Sequence, residues 1–207
     1  MVSDVSCIIL AGGASRRMGQ DKALMQVEGI RLFDYVYGTC RGLFSEIIIV
    51  TNQPHQFIEY RTPVVVDEIP GAGSLGGLYT GLKRAGNEYS FCAACDMPFL
   101  NPELISYLIE QKDKSDVVIP KTGKGLEPLH AVYSKRCIEP MKKCIERGDL
   151  KIPNFFPEVR VTYCGEEEIK KVDPTLISFM NVNTKEDLFR IQRILKGVPW
   201  TEKQEAI

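Results

Sequence analysis

Between Gly12 and Lys22 the chain reads Gly-Gly-Ala-Ser-Arg-Arg-Met-Gly-Gln-Asp-Lys, and Arg16, Arg17 and Lys22 lie within seven residues of one another. A glycine pair lets backbone N–H groups approach a ligand with no Cβ in the way, and amides arrayed around such a loop form a concavity that attracts anions. Guanidinium and ammonium groups beside it add charge-assisted hydrogen bonds of roughly 1.5–3 kcal/mol each. The chemistry these residues suit is the gripping of phosphate. Its complement is a hard oxygen ligand for Mg²⁺, which binds one or two protein carboxylates together with substrate phosphates and water. Asp96, in Asp96-Met97-Pro98 at the end of an apolar run, is such a carboxylate.

The elements that position these groups follow from hydrophobic pattern and punctuation. Val5 to Leu10 is a buried strand that empties into Gly12 and Gly13. Leu24 to Val27 is a short extended piece, and Arg31 to Arg41 has helical spacing, with Leu32, Tyr35, Val36 and Cys40 apolar. A second strand, Glu46 to Val50, ends at Thr51-Asn52; a third, Val64 to Val66, ends at Asp67-Glu68. A glycine-rich turn and a helix to Ala85 come next, then the strand Tyr89 to Cys95 and a helix from Pro102 to Gln111 capped by Asn101. Strands alternating with helices predict a three-layer α/β/α fold with a mostly parallel sheet. Ligands bind outside the carboxyl ends of the strands in such sheets, so Gly12, Asn52, Asp67 and Asp96 are expected to converge on one cleft.

Two familiar nucleotide patterns do not fit. A P-loop needs four residues between its glycines and a Gly-Lys-Ser/Thr ending, whereas Gly13 and Gly19 enclose five and are followed by Gln20-Asp21-Lys22. Gly71, Gly73 and Gly76 form a literal GxGxxG with Asp96 twenty residues beyond. A dinucleotide fingerprint opens the first βαβ unit directly after its strand; this one arrives third and is separated from its strand by Asp67-Glu68-Ile69-Pro70. An NAD(P)-binding oxidoreductase is the alternative that this pattern keeps in view.

The stretch Leu10-Ala11-Gly12-Gly13-Ala14-Ser15-Arg16-Arg17-Met18-Gly19-Gln20-Asp21-Lys22 resembles the signature of the molybdenum cofactor guanylyltransferases, members of the nucleotidyltransferase class with a Rossmann-like fold. The resemblance extends to Asp96-Met97-Pro98 and to Asn181-Val182-Asn183-Thr184. It implies transfer of GMP from GTP to molybdenum-bound molybdopterin with release of pyrophosphate. GTP would be bound by Leu10, Ala11, Gly12, Gly13, Lys22, Asn52, Asp67 and Asp96, with Arg16, Lys22 and Asp96 catalytic and Asp96 holding Mg²⁺. Pro128, Asn181 and Asn183 would face the pterin. The family's glycine-rich segment after the aspartate reads Gly-Pro-Leu-Ala-Gly, from which Gly73-Ser74-Leu75-Gly76-Gly77 departs. Gly13 stands where cytidylyltransferases of similar sequence carry alanine, which favours a purine. A molybdopterin cytidylyltransferase and a sugar-phosphate nucleotidyltransferase are the neighbouring alternatives. Other molybdenum cofactor biosynthesis proteins and acceptor molybdoenzymes are the partners the resemblance implies.

The remainder of the chain sets bounds. Among 207 residues, 26 Lys and Arg balance 27 Asp and Glu, so no general attraction to nucleic acid or to an anionic membrane follows. No basic leader and no membrane-length apolar run is visible, and a cytoplasmic protein is expected. Seven cysteines, an odd number, several in apolar runs, suit reduced thiols. Cys92 and Cys95, on one strand, would point to opposite faces. Further strands are expected at Asp116 to Pro120, Leu129 to Tyr133 and Val159 to Cys164, with a surface turn at Lys121 to Lys124 and a helix at Ser134 to Arg147. His130, one of two histidines, reads as an ordinary packed or surface residue, and Glu166 to Glu168 as a solvated acidic run. Thr184 and Asp187 fit the cap of a helix from Lys185 to about Leu195. Residues 1–196 are expected to form one domain and 197–207 a frayed tail.

Overall fold

The computed structural model describes residues 1–12 and 22–197, with the side chains of Lys22 and Lys185 left aside. The expectations for Gly13, Arg16 and Arg17 and for the tail beyond Gly197 lie outside the described residues.

The strand β1 (Val5–Leu10) is buried along its whole length, as its unbroken apolar character demands. After a 3-10 turn at Lys22–Leu24 come the short hairpin strands β2 (Gln26–Val27) and β3 (Ile30–Arg31). The helix α1 (Leu32–Leu43) buries Leu32, Phe33, Val36, Tyr37 and Cys40, one stripe at helical spacing. There follow β4 (Ile47–Thr51), β5 (Val64–Val66), α2 (Gly73–Arg84), β6 (Tyr89–Ala94) and α3 (Pro102–Glu110). Asn101 caps α3 as expected, its Oδ1 accepting from Glu103 N–H at 2.8 Å. The second half adds β7 (Val117–Thr122), β8 (Gly125–Leu126), β9 (His130–Ser134), α4 (Ile138–Glu146), β10 (Val161–Gly165), α5 (Glu166–Ile169) and α6 (Lys185–Leu195).

Among the described residues one eight-stranded sheet runs β10-β7-β9-β6-β1-β4-β5, with β8 paired to β7. The block β6-β1-β4-β5 is parallel, as is β10 with β7, but β9 runs antiparallel to both of its neighbours. The sheet is therefore mixed though mostly parallel. Alternation along β1 divides the interior into two layers. Cys7 and Ile9 join Phe33, Val36, Leu104 and Leu108 from α1 and α3, while Ile8 and Leu10 join Leu75, Leu78, Leu82 and Met141 from α2 and α4. A third cluster, Met25, Val27, Leu32, Val182 and Ile191, docks α6 onto the β2-β3 hairpin.

Several local expectations are corrected. Glu166 to Glu168 is an acidic run with Glu167 and Glu168 exposed, as expected, but it forms the body of α5, where Glu166 accepts from Gly123 N–H at 2.6 Å and pairs with Lys170. The acidic first turn suits a helix N-terminus. The turn placed at Lys121 to Lys124 is tighter, because β7 continues to Thr122. The helix placed at Ser134 begins instead with a 3-10 turn, Lys135–Cys137. Only Gln26–Val27 of the piece from Leu24 is extended. Cys95 falls just past β6, and none of the seven cysteines is in a disulfide. Among the described residues no helix is long and apolar enough to cross a membrane.

Candidate functional site

Strand register builds the site. Leu10 lies opposite both Val50 and Ala94, and Thr51 opposite Val66. Just past these pairs Gly12, Asn52 and Asp67 form a row across the carboxyl ends of β1, β4 and β5, and Asp96 follows the neighbouring end of β6 in a turn where Met97 N–H donates to the Ala94 carbonyl at 3.4 Å. The row is tight between its first two members: a Cβ added at Gly12 would stand 3.5 Å from Asn52 N and 3.9 Å from its Nδ2. That is ordinary contact, so among the described residues packing does not demand glycine there.

A cavity of about 400 Å³ opens over this row. Leu10 and Val50 give it an apolar floor; Gly12, Thr51, Asn52 and Asp67 line the strand side; and Gly71, Gly73, Ser74 and Gly77 line the helix side. An apolar base with a few convergent polar groups is the usual make-up of a small-molecule site. Three of the four expected strand-end residues thus share one cavity. Asp96 does not line it; it flanks Gly12 on the far side, where its main-chain carbonyl accepts from Val182 N–H at 3.0 Å.

The glycines of α2 explain how a helix comes so near the cleft. Gly71 and Gly73 take φ of +94° and +59°, which turns the chain sharply from the loop into the helix. Inside the helix, a Cβ at Gly77 would stand 3.2 Å from Leu10 Cδ2, and one at Gly81 would stand 2.5 Å from Ile8 Cγ2. Each interior glycine costs roughly 1 kcal/mol relative to alanine. The return is close approach of α2 to β1, which carries the first turn of the helix to the cavity wall. Among the described residues that turn has no side-chain cap, and Gly73, Ser74 and Gly77 line the cavity, so the partial positive charge of the helix N-terminus lies at its wall.

Asp67 is fixed from behind. Its Oδ1 accepts from Ile69 N–H at 3.0 Å and from the Thr80 hydroxyl at 3.1 Å. Thr80, wholly buried on α2, is a residue that the sequence reading did not single out. Its signal was there: Thr80 follows Gly76 and Gly77 by four and three residues, on the face that those glycines press toward the sheet.

Around Asp96 the chain folds back on itself. Val182 is buried against the β2-β3 hairpin, which brings Asn181 and Asn183 to the flank of Asp96. The Asn183 N–H donates to Asp187 Oδ2 at 2.8 Å, and Thr184 and Asp187 complete the expected capping box. Pro128 lies between β8 and β9 outside the cavity lining, and its carbonyl accepts from the Tyr133 hydroxyl at 2.7 Å. His130 is a packed core residue, as expected. It is fully buried, edge-on to Phe91 and Phe179 at 5.2 and 5.0 Å, and burial pushes its pKa down to about 3. Burial also raises Glu127 above the ordinary carboxylate value, against the opposing effect of Lys124. Lys22 opens its 3-10 turn, but its side chain is outside the described residues.

Comparison with known proteins places this architecture. Residues 7–158 match the MobA-like NTP transferase domain family. The molybdenum cofactor guanylyltransferase of Desulfosudis oleivorans is 39% identical over 195 residues, covering 93% of this chain and 96% of that protein. A probable molybdenum cofactor guanylyltransferase of Natranaerobius thermophilus is 40% identical over 202 residues, covering 94% and 98%. Among solved structures, molybdopterin-guanine dinucleotide biosynthesis protein A from Archaeoglobus fulgidus superposes with a TM-score of 0.83 at 30% identity, over 94% of this chain and 100% of that one. The bifunctional IspDF of Campylobacter jejuni, at 15% identity and a TM-score of 0.69 over 90% of this chain and 54% of that one, shares the fold alone. By the match across residues 7–158 and the identity with these relatives, the chain belongs to the MobA-like NTP transferase family and is a nucleotidyltransferase.

Proposed function

We propose that this protein transfers GMP from GTP to molybdenum-bound molybdopterin, forming the guanine dinucleotide cofactor and releasing pyrophosphate. The observation that carries the reading is the set Asp96, Gly12, Asn52 and Asp67 at four neighbouring strand ends, in a chain whose relatives bear the name molybdenum cofactor guanylyltransferase. In this reading the nucleoside occupies the cavity between β4, β5 and the start of α2. The triphosphate lies toward the loop after Gly12, and the pterin approaches from the Asp96, Asn181 and Asn183 side.

The reaction needs positioning and charge neutralisation more than proton transfer. The terminal phosphate of the pterin is already an anion at neutral pH. Its oxygen forms the new bond to the α-phosphorus as the bond to the departing pyrophosphate breaks, and no general base is required. His130, sealed between two phenylalanines, is not available as one. Lys22 neutralises charge at the α-phosphate, while Arg16, Arg17 and the amides around Gly13 hold the β- and γ-phosphates. Leu10 and Ala11 set the loop at the end of β1, and Asn52 supplies both a donor and an acceptor beside Gly12.

Asp96 is the residue that would hold Mg²⁺, which when bound neutralises phosphate charge. A single carboxylate suits an ion whose remaining ligands are substrate phosphates and water. Acceptor molybdoenzymes and other proteins of molybdenum cofactor assembly are the partners that would consume or supply the pterin.

The test is calorimetric titration of the purified protein with GTP, CTP, ATP and NADH in the presence of Mg²⁺. Selective binding of GTP that weakens in Lys22→Ala is the expected outcome. Preference for CTP would move the protein to cytidylyl transfer, and tight binding of NADH would overturn the nucleotidyltransferase assignment of the cleft.

A further inference from the structure

We propose that Thr80 is a positioning residue for nucleotide binding: its hydroxyl immobilises one oxygen of Asp67, so that the other is presented to hydrogen-bond donors on the sugar or base. The inference rests on the reading of the cleft as a GTP site and assigns to it a residue that the cavity itself does not reveal, since Thr80 does not line it.

A threonine within a helix commonly bonds back to the carbonyl one turn earlier. Thr80 instead reaches off the helix. Its Oγ1 donates to Asp67 Oδ1 at 3.1 Å and accepts from Glu68 N–H at 3.0 Å, and the residue is wholly buried. The same Oδ1 takes the Ile69 N–H at 3.0 Å. The absence of a side chain at Gly76 keeps this arrangement unobstructed: a Cβ added there would stand 3.3 Å from Oδ1 and 2.8 Å from the Ala72 Cβ. Asp67 Oδ2 accepts no hydrogen bond from the described residues, although Asp67 lines the cavity. A carboxylate anchored through one oxygen by two donors has little freedom to rotate, and its orientation is settled before ligand arrives. Ionised, it is only an acceptor, so its ligand must be a donor. The triphosphate is excluded by charge. The ribose hydroxyls and the guanine N–H groups remain, which directs the nucleoside end toward β5 and leaves the phosphates for the loop after Gly12.

The test measures GTP affinity, KM and kcat in Thr80→Val, Thr80→Ala and Thr80→Ser, alone and with Asp67→Ala, with folding followed by circular dichroism. Loss of one hydrogen bond to a charged group predicts a rise of about tenfold in Kd and KM for Val or Ala. For Ser, and for kcat, the change should stay within about twofold. In the Asp67→Ala background, the Val substitution should add less than about twofold. A threonine that merely holds the β5–α2 turn would show an equal loss in both backgrounds, and that result, or wild-type affinity in folded Val and Ala variants, overturns the proposal. If Thr80→Val does not fold, Thr80→Ala supplies the same comparison. Disappearance of the penalty with 2′- or 3′-deoxy-GTP assigns the donor to the ribose, with ITP to the guanine 2-amino group, and with 1-methyl-GTP to the ring N1–H; a penalty undiminished with all four overturns the proposal. Wild-type protein that binds no GTP at all sinks the nucleotide reading itself, and this inference with it.

Discussion

Gly81 of α2 lies so close to Ile8 of β1 that a Cβ at position 81 would stand 2.5 Å from Ile8 Cγ2 and 2.9 Å from its Cδ1. Ile8 cannot yield easily. It is wholly buried in a central strand, and its branched Cβ leaves χ1 stiff. Alanine at 81 gains roughly 1 kcal/mol of helix propensity but overpacks a full interior, at a cost of roughly 1–3 kcal/mol. Gly81→Ala is therefore expected to lower stability by about 1 kcal/mol, read from urea unfolding. Because α2 would have to move off β1, GTP affinity should fall as well. An unchanged or raised urea midpoint would show that the contact is slack.

His130 makes stability depend on pH. Its folded pKa is pushed down to about 3 by burial, whereas an unfolded histidine titrates near 6.5. The neutral form is the one the fold accepts. The contribution is thus fully present above about pH 6.5 and is lost as pH falls toward 3, at a limiting slope of about 1.4 kcal/mol per pH unit. Among the described residues neither ring nitrogen has a hydrogen-bond partner, so His130→Leu removes a proton acceptor without stranding a described mate. The variant should be at least as stable as wild type at pH 7 and should flatten the stability profile between pH 6 and 4, followed by thermal unfolding across that range. An unaltered profile would place the acid sensitivity elsewhere.

Asp96 follows the end of β6, where its main-chain carbonyl accepts from Val182 N–H at 3.0 Å, a hydrogen bond that a change of side chain leaves available. Asp96→Ala and Asp96→Asn are expected to reduce turnover by about a hundredfold or more, the scale seen when one preorganised electrostatic group at a reacting centre is removed. Circular dichroism should be unchanged, and GTP binding measured without Mg²⁺ should change little. Full pyrophosphate release from Asp96→Ala in Mg²⁺ would reject the metal role.

Much of this molecule was legible along the chain. Continuous apolar runs such as Val5 to Leu10 and Tyr89 to Ala94 admit burial on two faces, and local signals such as the Asn101 cap and the Thr184-Asp187 box act within a few residues, so elements and their order follow from neighbours in sequence. The strand-end positions of Gly12, Asn52, Asp67 and Asp96 were readable for the same reason. Three features depended on contacts between distant segments. The antiparallel insertion of β9 between β6 and β7 follows from pairing choices that an apolar run does not specify. The α-helix at Glu166–Ile169 draws on Gly123, 43 residues away, to occupy a carboxylate that in isolation reads as solvated. The anchoring of Asp67 by Thr80, and the reason α2 carries glycines at 77 and 81, exist only because the helix lies pressed on the sheet. Spacing along a chain determines which residues share an element and a face; close packing between elements determines which of them touch, and that decided the orientation of the groups in the cleft.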